Sequence, residues 1–214
     1  MDITGISIIC LGSLLVAITW LSVARLIRRR NPFPVPHFLV NIIDNPLRRL
    51  MQPLDRSPER LGLKPGMRVL EIGPGRGTYT LAAAKAIEPG GTIMAVDIEE
   101  RIVAKLQKRV SIAGATNIEV RVGDAQALDF PKGVYDGIYA ITVFGEIPDR
   151  ALALSEFLRV LKPGGTLALS EFFPDPDYQP PDTVRSECEV LGFRFSEKTG
   201  NIFHYTMLFE KPRK

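Results

Sequence analysis

The sequence predicts a doubly wound α/β fold carried behind an N-terminal transmembrane helix, and three observations point there. Residues 69–84, VLEIGPGRGTYTLAAA, run from an apolar strand through a glycine loop into an alanine-rich helix. Downstream, strand-like and helix-like segments alternate, the pattern of a parallel sheet with right-handed crossovers. Upstream, residues 3–24 hold no charged side chain, and Arg25, Arg28, Arg29 and Arg30 follow at once.

The N-terminal element comes first. As a helix, the 22 residues from Ile3 to Ala24 span about 33 Å, one bilayer core. A cleaved signal peptide fits less well, because Asp2 rather than a positive charge precedes the apolar run and the run is too long. A buried core helix of that length without a charge is uncommon. The positive-inside rule puts the arginines, and the chain that follows them, in the cytoplasm as a single-pass membrane protein. The charge distribution agrees. Residues 1–60 carry eight arginines against four acidic side chains, so of the net +3 they hold +4 and the rest of the chain −1. A basic strip beside an apolar helix suits anionic lipid headgroups. A nucleic-acid enzyme would place its basic residues around its cleft, so no nucleic-acid partner is expected. Two cysteines, Cys10 and Cys188, give no disulfide framework, and two histidines, His37 and His204, give no metal site.

Residues 31–60 read as a connector between the anchor (1–30) and the domain (61–214). Pro32, Pro34 and Pro36 stop the anchor helix. Phe38, Leu39, Ile42, Ile43, Leu47 and Leu50 then recur at near-helical spacing. That stretch either lies in the membrane interface or packs on the domain, with His37 where the segment could fold over a site.

The domain follows in order. Residues 68–73 read as a buried strand and Thr78 onward as a helix. Residues 91–98 form a second strand ending at Asp97, and 100–114 an amphipathic helix. A third strand starts at Ile118 and ends at Gly123-Asp124-Ala125. A fourth, with its loop, occupies 134–148. A helix over 150–165 closes on Pro-Gly-Gly, and a fifth strand spans 166–173. Between Pro174 and Phe193 only a short connection is expected, and the two last apolar runs read as an edge hairpin.

The loop's spacing narrows its ligand. Gly73, Gly75 and Gly77 give G-x-G-x-G, and Thr78 stands where a dinucleotide fingerprint has its third glycine. Glu71, two residues before the loop, would repel a pyrophosphate but can pair with an ammonium. Asp97, 20 residues past Gly77, is placed to accept both ribose hydroxyls. The pattern fits one nucleoside joined to an amino-acid tail.

From about Leu61 to the end, the chain resembles the class I S-adenosylmethionine-dependent methyltransferases. VLEIGPGRGT is similar to that family's glycine motif, MAVDI to its ribose motif, GDAQAL to its adenine-side motif, and EFLRVLKPGGTLALSEF to its late helix–strand motif. The resemblance implies a seven-stranded sheet in the order 3-2-1-4-5-7-6 with strand 7 antiparallel, and S-adenosyl-L-methionine as cofactor. It places Glu71, Gly73, Gly75 and Gly77 at the methionine part, Asp97 at the ribose, Asp124 with Ala125 near the adenine, and Ile98 on the adenine face.

Methyl transfer from a sulfonium rests on alignment and desolvation and needs a base only if the acceptor must lose a proton. No dyad stands out. Tyr79, Glu146 and His204 are the catalytic candidates, with Phe144, Glu171, Tyr178 and Tyr205 near expected strand ends. The loop after the fourth strand lacks an Asn-Pro-Pro-Tyr motif, which disfavours exocyclic and amide nitrogens. A membrane anchor and a domain without a substrate insertion point to a lipid or lipophilic acceptor. The chain is similar in this to the methyltransferases of quinone biosynthesis and of phospholipid headgroups. For a methylated ammonium, Phe144, Tyr178 and Tyr205 offer aromatic faces. The alternatives are a dinucleotide-dependent oxidoreductase, a decarboxylated-cofactor aminopropyl transferase, and a non-catalytic S-adenosylmethionine-binding membrane protein.

Overall fold

The computed structural model describes residues 19–20, 22–26 and 57–213. Its central feature is a seven-stranded sheet in the order β3-β2-β1-β4-β5-β7-β6. In chain order the elements are α1 (Ser57–Arg60), β1 (Arg68–Ile72), α2 (Thr78–Ala86), β2 (Thr92–Asp97), α3 (Glu100–Ala113), β3 (Ile118–Val122), β4 (Tyr135–Ile141), α4 (Arg150–Val160), β5 (Leu161–Phe172), α5 (Pro181–Val190), β6 (Arg194–Gly200) and β7 (His204–Glu210). β1 through β5 pair in parallel, and β7 runs antiparallel to both β5 and β6. This is the sheet order that the family resemblance implied.

The strands nearest the centre are apolar on both faces because helices cover both. On one face Val69, Ile93, Ala95 and Tyr139 pack under Ala83 and Ala84 of α2, Ile87 just past its end, and Val103, Leu106 and Val110 of α3. On the other, Leu70, Ile138, Leu167 and Leu169 meet Leu154 and Phe157 of α4 and Val184 and Cys188 of α5. Ile102, Val103, Leu106 and Val110 are the buried stripe of α3, at the spacing expected of an amphipathic helix. Small residues let α2 lie close. At its start, Gly77 takes φ 74° in the left-handed region. A Cβ there would sit 2.1 Å from Leu106 Cδ1, so the third glycine serves helix packing.

Three boundaries differ from the sequence reading. α4 ends at Val160, and Lys162-Pro-Gly-Gly165 belongs to β5, where pairing with β4 slips between Tyr135 and Gly137. The third strand stops at Val122, leaving residues 123–128 as a loop. The connection after the fifth strand holds a whole helix, α5. Pro181 opens it at its first turn, where a missing N–H costs nothing. A paired Arg150–Glu187 contact at 2.6 Å ties it to α4.

The anchor reading concerns residues that lie mostly outside those described. Among the described residues no helix is long and apolar enough to cross a membrane. Residues 22–26 are helical, with Trp20, Val23 and Leu26 exposed. Arg25, read from sequence as lipid-facing, instead touches the domain. Its guanidinium lies 4.4 Å from the Phe173 ring centroid and 5.8 Å from that of Tyr178, and it donates to the Phe173 carbonyl. The amphipathic stretch 31–53, with His37, lies outside the described residues.

Candidate active site

A cleft of about 160 Å³, open to solvent, lies at the carboxyl ends of β1, β2 and β4. This is where the strand order reverses and where open α/β sheets bind ligands. The backbone of the glycine loop forms one wall. The Gly73 N–H donates to Val96 O at 2.9 Å, and the Gly77 N–H to Pro74 O at 2.9 Å. Arg109 of α3 clamps the loop from behind through Nη1 to Arg76 O at 2.7 Å. Gly73 has φ 63°, and a Cβ there would meet Val143 Cγ2 at 2.5 Å, so this glycine lets the first loop approach the one after β4.

Of the residues the sequence reading assigned to the cofactor, Glu71, Gly73, Gly75, Asp97, Ile98, Asp124 and Ala125 all line this cleft. Gly77 does not; it turns the chain into α2. Tyr79 and Glu146 also line it, whereas His204 lies in a neighbouring recess that shares Tyr79 and Ile141 with the cleft. Phe144 and Tyr205 are core residues at 1% and 2% exposure, and the Tyr205 hydroxyl donates to Gln179 O at 2.6 Å. Tyr178 stacks edge-on against Phe173 and Tyr205. None of these three aromatic residues lines the cleft, so the aromatic cage expected for a methylated ammonium is not built there.

Glu71 is the most unusual group. It stands opposite Tyr139 and Ala95 in the sheet register and is 3% exposed. Burial pushes its carboxyl up to about 7; the Thr80 and Tyr139 hydroxyls pull it down, and the Asp97 charge raises it. Those hydroxyls lie close enough to favour the carboxylate, yet neither they nor Glu71 Oε2 closes a hydrogen bond of good geometry. A buried carboxylate oxygen without a partner is costly, and an incoming cation or hydroxyl would satisfy it.

Asp97, at the end of β2, is also pushed up by burial, offset by the backbone amides of Glu99, Gly75 and Ile98. The Glu99 N–H reaches its Oδ1 at 3.0 Å. Ile98 beside it leaves 49% of its surface exposed, a flat apolar patch on the cleft floor. Asp124 is braced by Gln126, whose backbone N–H and side-chain Nε2 donate to Oδ1 at 2.8 and 3.0 Å. Thus a buried carboxyl, a ribose-height carboxyl and an apolar shelf follow one another along the cleft. They fit a ligand with an ammonium at one end and a nucleoside at the other. Among the described residues no group of three or more His, Cys, Asp or Glu is placed to hold a metal ion.

Sequence reasoning missed Thr142 and Gln126. Thr142 holds φ 54° at the end of β4, the non-glycine residue with positive φ among those described, and it lines the cleft. Backbone strain of this kind gathers at functional sites. No composition signal marks it, because threonine is an ordinary strand residue.

A family model described as a methyltransferase domain matches residues 63–209. The chain therefore belongs to the class I S-adenosylmethionine-dependent methyltransferase family, and the cofactor of that family is S-adenosylmethionine. Among its relatives, the nocamycin O-methyltransferase of Saccharothrix syringae is 32% identical over 113 residues, covering 53% of this chain and 40% of the relative. The demethylmenaquinone methyltransferase of Staphylococcus aureus is 31% identical over 142 residues, covering 65% and 55%. The chain spans about half, or less, of the length of such relatives. A solved S-adenosylmethionine-dependent methyltransferase from Aquifex aeolicus superposes with a TM-score of 0.78 at 24% identity, covering 83% of this chain and all of that one, a likeness of fold.

If Asp97 accepts the ribose hydroxyls, Asp97→Ala should weaken S-adenosylhomocysteine binding on the order of a hundredfold, the loss of two charge-assisted hydrogen bonds. Isothermal titration reads this directly. Unchanged affinity would remove the ribose role.

Proposed function

We propose that this protein transfers a methyl group from S-adenosylmethionine to a lipophilic, quinone-like ring at a membrane surface. The observation that carries the reading is the cleft with Glu71 Oε2 buried and unpartnered at one end and the bare Ile98 shelf at the other. S-adenosylmethionine, when bound, supplies a methyl group activated on a sulfonium. The chain's part is to place it. Glu71 offsets the ammonium, Asp97 accepts from the ribose, Asp124 and Ala125 border the adenine, and Val143, Ile147 and Pro148 add apolar wall.

A ring acceptor is favoured over a phospholipid headgroup amine, because Phe144, Tyr178 and Tyr205 lie in the core or outside the cleft, which leaves Tyr79 as the aromatic side chain lining it among the described residues, too few for a cage. Relatives named for demethylmenaquinone and for ubiquinone/menaquinone C-methylation support the same direction. The uncharged residues 3–24 and the arginines that follow support a single-pass anchor, with the domain from residue 61 onward on the cytoplasmic side. No residue in the cleft suggests a nucleic-acid partner.

The test is incubation of the full-length protein with methyl-labelled cofactor and a total membrane-lipid extract. Label should enter the neutral, quinone-containing fraction. Label confined to phospholipid, or to water-soluble products, would overturn the acceptor class. Alkaline carbonate washing of expressing cells should leave the protein in the membrane pellet, and release into the wash would overturn the anchor.

A further inference from the structure

Beside the main cleft is a small recess of about 10 Å³, room for a single water-sized group, with Arg60, Tyr79, Ile141, Ser170, His204 and Thr206 in its lining. Tyr79 and Ile141 line both spaces, so the two adjoin. His204 begins β7 opposite Phe172 of β5, at the sheet edge that carries the cleft, and is 5% exposed. Its Nε2 is 2.9 Å from Arg60 Nη1. A guanidinium only donates, so Nε2 accepts and the ring proton sits on Nδ1. Burial and the Arg60 charge both push the imidazole below its ordinary pKa, which keeps it neutral. Nδ1 is itself buried and has no partner. The hydroxyls beside it are engaged: Ser170 Oγ donates to Tyr205 O at 3.2 Å, and Thr206 Oγ1 donates to Ser170 Oγ at 3.1 Å.

An unmade hydrogen bond from a buried N–H costs about 1–3 kcal/mol. Here it belongs to a histidine that lines a recess beside the methyl-transfer cleft, next to a fixed positive charge. We propose that this recess is the oxygen site of the methyl acceptor, with His204 Nδ1–H donating to an anionic phenolate or enolate oxygen and Arg60 supplying the counter-charge. The inference rests on the methyl-transfer reading and narrows it. One donor and a cation disfavour an ammonium there, and they stabilise the oxygen anion that makes an adjoining ring carbon, or the oxygen itself, nucleophilic. The tautomer is set by Arg60, so the donor is present before the acceptor arrives.

The chain has only His37 and His204, so His37→Gln leaves a single set of imidazole signals. The full-length protein, in detergent and labelled with nitrogen-15 at histidine, is examined with saturating S-adenosylhomocysteine. The probes are naphthol, naphthylamine and naphthalene. The ring should show a protonated Nδ1 and a bare Nε2, and naphthol alone should move the Nδ1 proton downfield. In a second experiment, His204→Phe should weaken naphthol binding on the order of tenfold and leave S-adenosylhomocysteine affinity unchanged. A proton on Nε2, no response to naphthol, or an equal response to naphthylamine overturns the oxygen site. Failure of S-adenosylhomocysteine to bind the wild-type protein overturns the methyl-transfer reading instead, so the two failures are distinguishable.

Discussion

Glu71→Gln is expected to make the ligand-free protein more stable in base while disabling its binding site. The unfolded carboxyl loses its proton near 4.5 and the folded one near 7. Between those values the folded state binds more protons, so stability falls as pH rises through the window and levels off above 7. Two and a half pH units at about 1.4 kcal/mol each amount to about 3 kcal/mol. The variant has no such proton to lose. Its advantage over wild type should be near zero at pH 4 and about 3 kcal/mol at pH 8, read by urea unfolding. Burial raises Asp97 and Glu171 in the same direction, but both are present in each protein, so the difference reports Glu71 together with its coupling to the Asp97 charge. Cofactor affinity should move the other way, dropping on the order of a hundredfold as the counter-charge to an ammonium is lost. A variant no more stable than wild type at pH 8 would show that Glu71 is not held in a desolvated site.

Gly145→Ala should be among the most damaging single methyl additions in the molecule. Gly145 is buried in a 3₁₀ turn, Phe144–Glu146, between β4 and α4. A Cβ there would stand 1.9 Å from the Asp177 carbonyl oxygen and 3.0 Å from Gln179 Nε2. The nearest obstacle is backbone, so no rotamer change relieves it. Overpacking of this kind costs about 2–3 kcal/mol, or about 5–10 °C in Tm for a chain of this size. Glu146, Ile147 and Pro148 line the cleft just beyond, so cofactor binding should weaken along with stability. Differential scanning calorimetry of the two proteins decides it. A Tm within a degree of wild type would mean that the loop carrying Asp177 yields freely.

The reach of the sequence differed from element to element. β1, α2, β2 and α3 were readable within a residue or two, because each couples a run of one periodicity to glycine or charge at its end. The cleft-lining Glu71, Asp97 and Asp124 were readable for the same reason, standing before or at the turns that leave β1, β2 and β3. α5 was not. Its segment opens on Pro-Asp-Pro-Asp and Gln-Pro-Pro, and its buried residues, Val184 and Cys188, make only a short stripe. The place of Phe144, Tyr178 and Tyr205 was misread because sequence gives a strand end but not which face an aromatic ring takes. That Gly77 also serves packing was not legible, because the side chain that crowds it, Leu106, comes from another helix. The Arg60–His204 contact joins residues 144 positions apart, beyond any local pattern.

Arg25 links what precedes the domain to the rim of the sheet. Its guanidinium rests on Phe173, whose own N–H reaches the carbonyl of Phe203 at the tip of the β6–β7 hairpin. A domain hung on a bare tether would swivel in every direction about its attachment. One latched at this point is held to the helical residues 22–26 on a single side of the sheet.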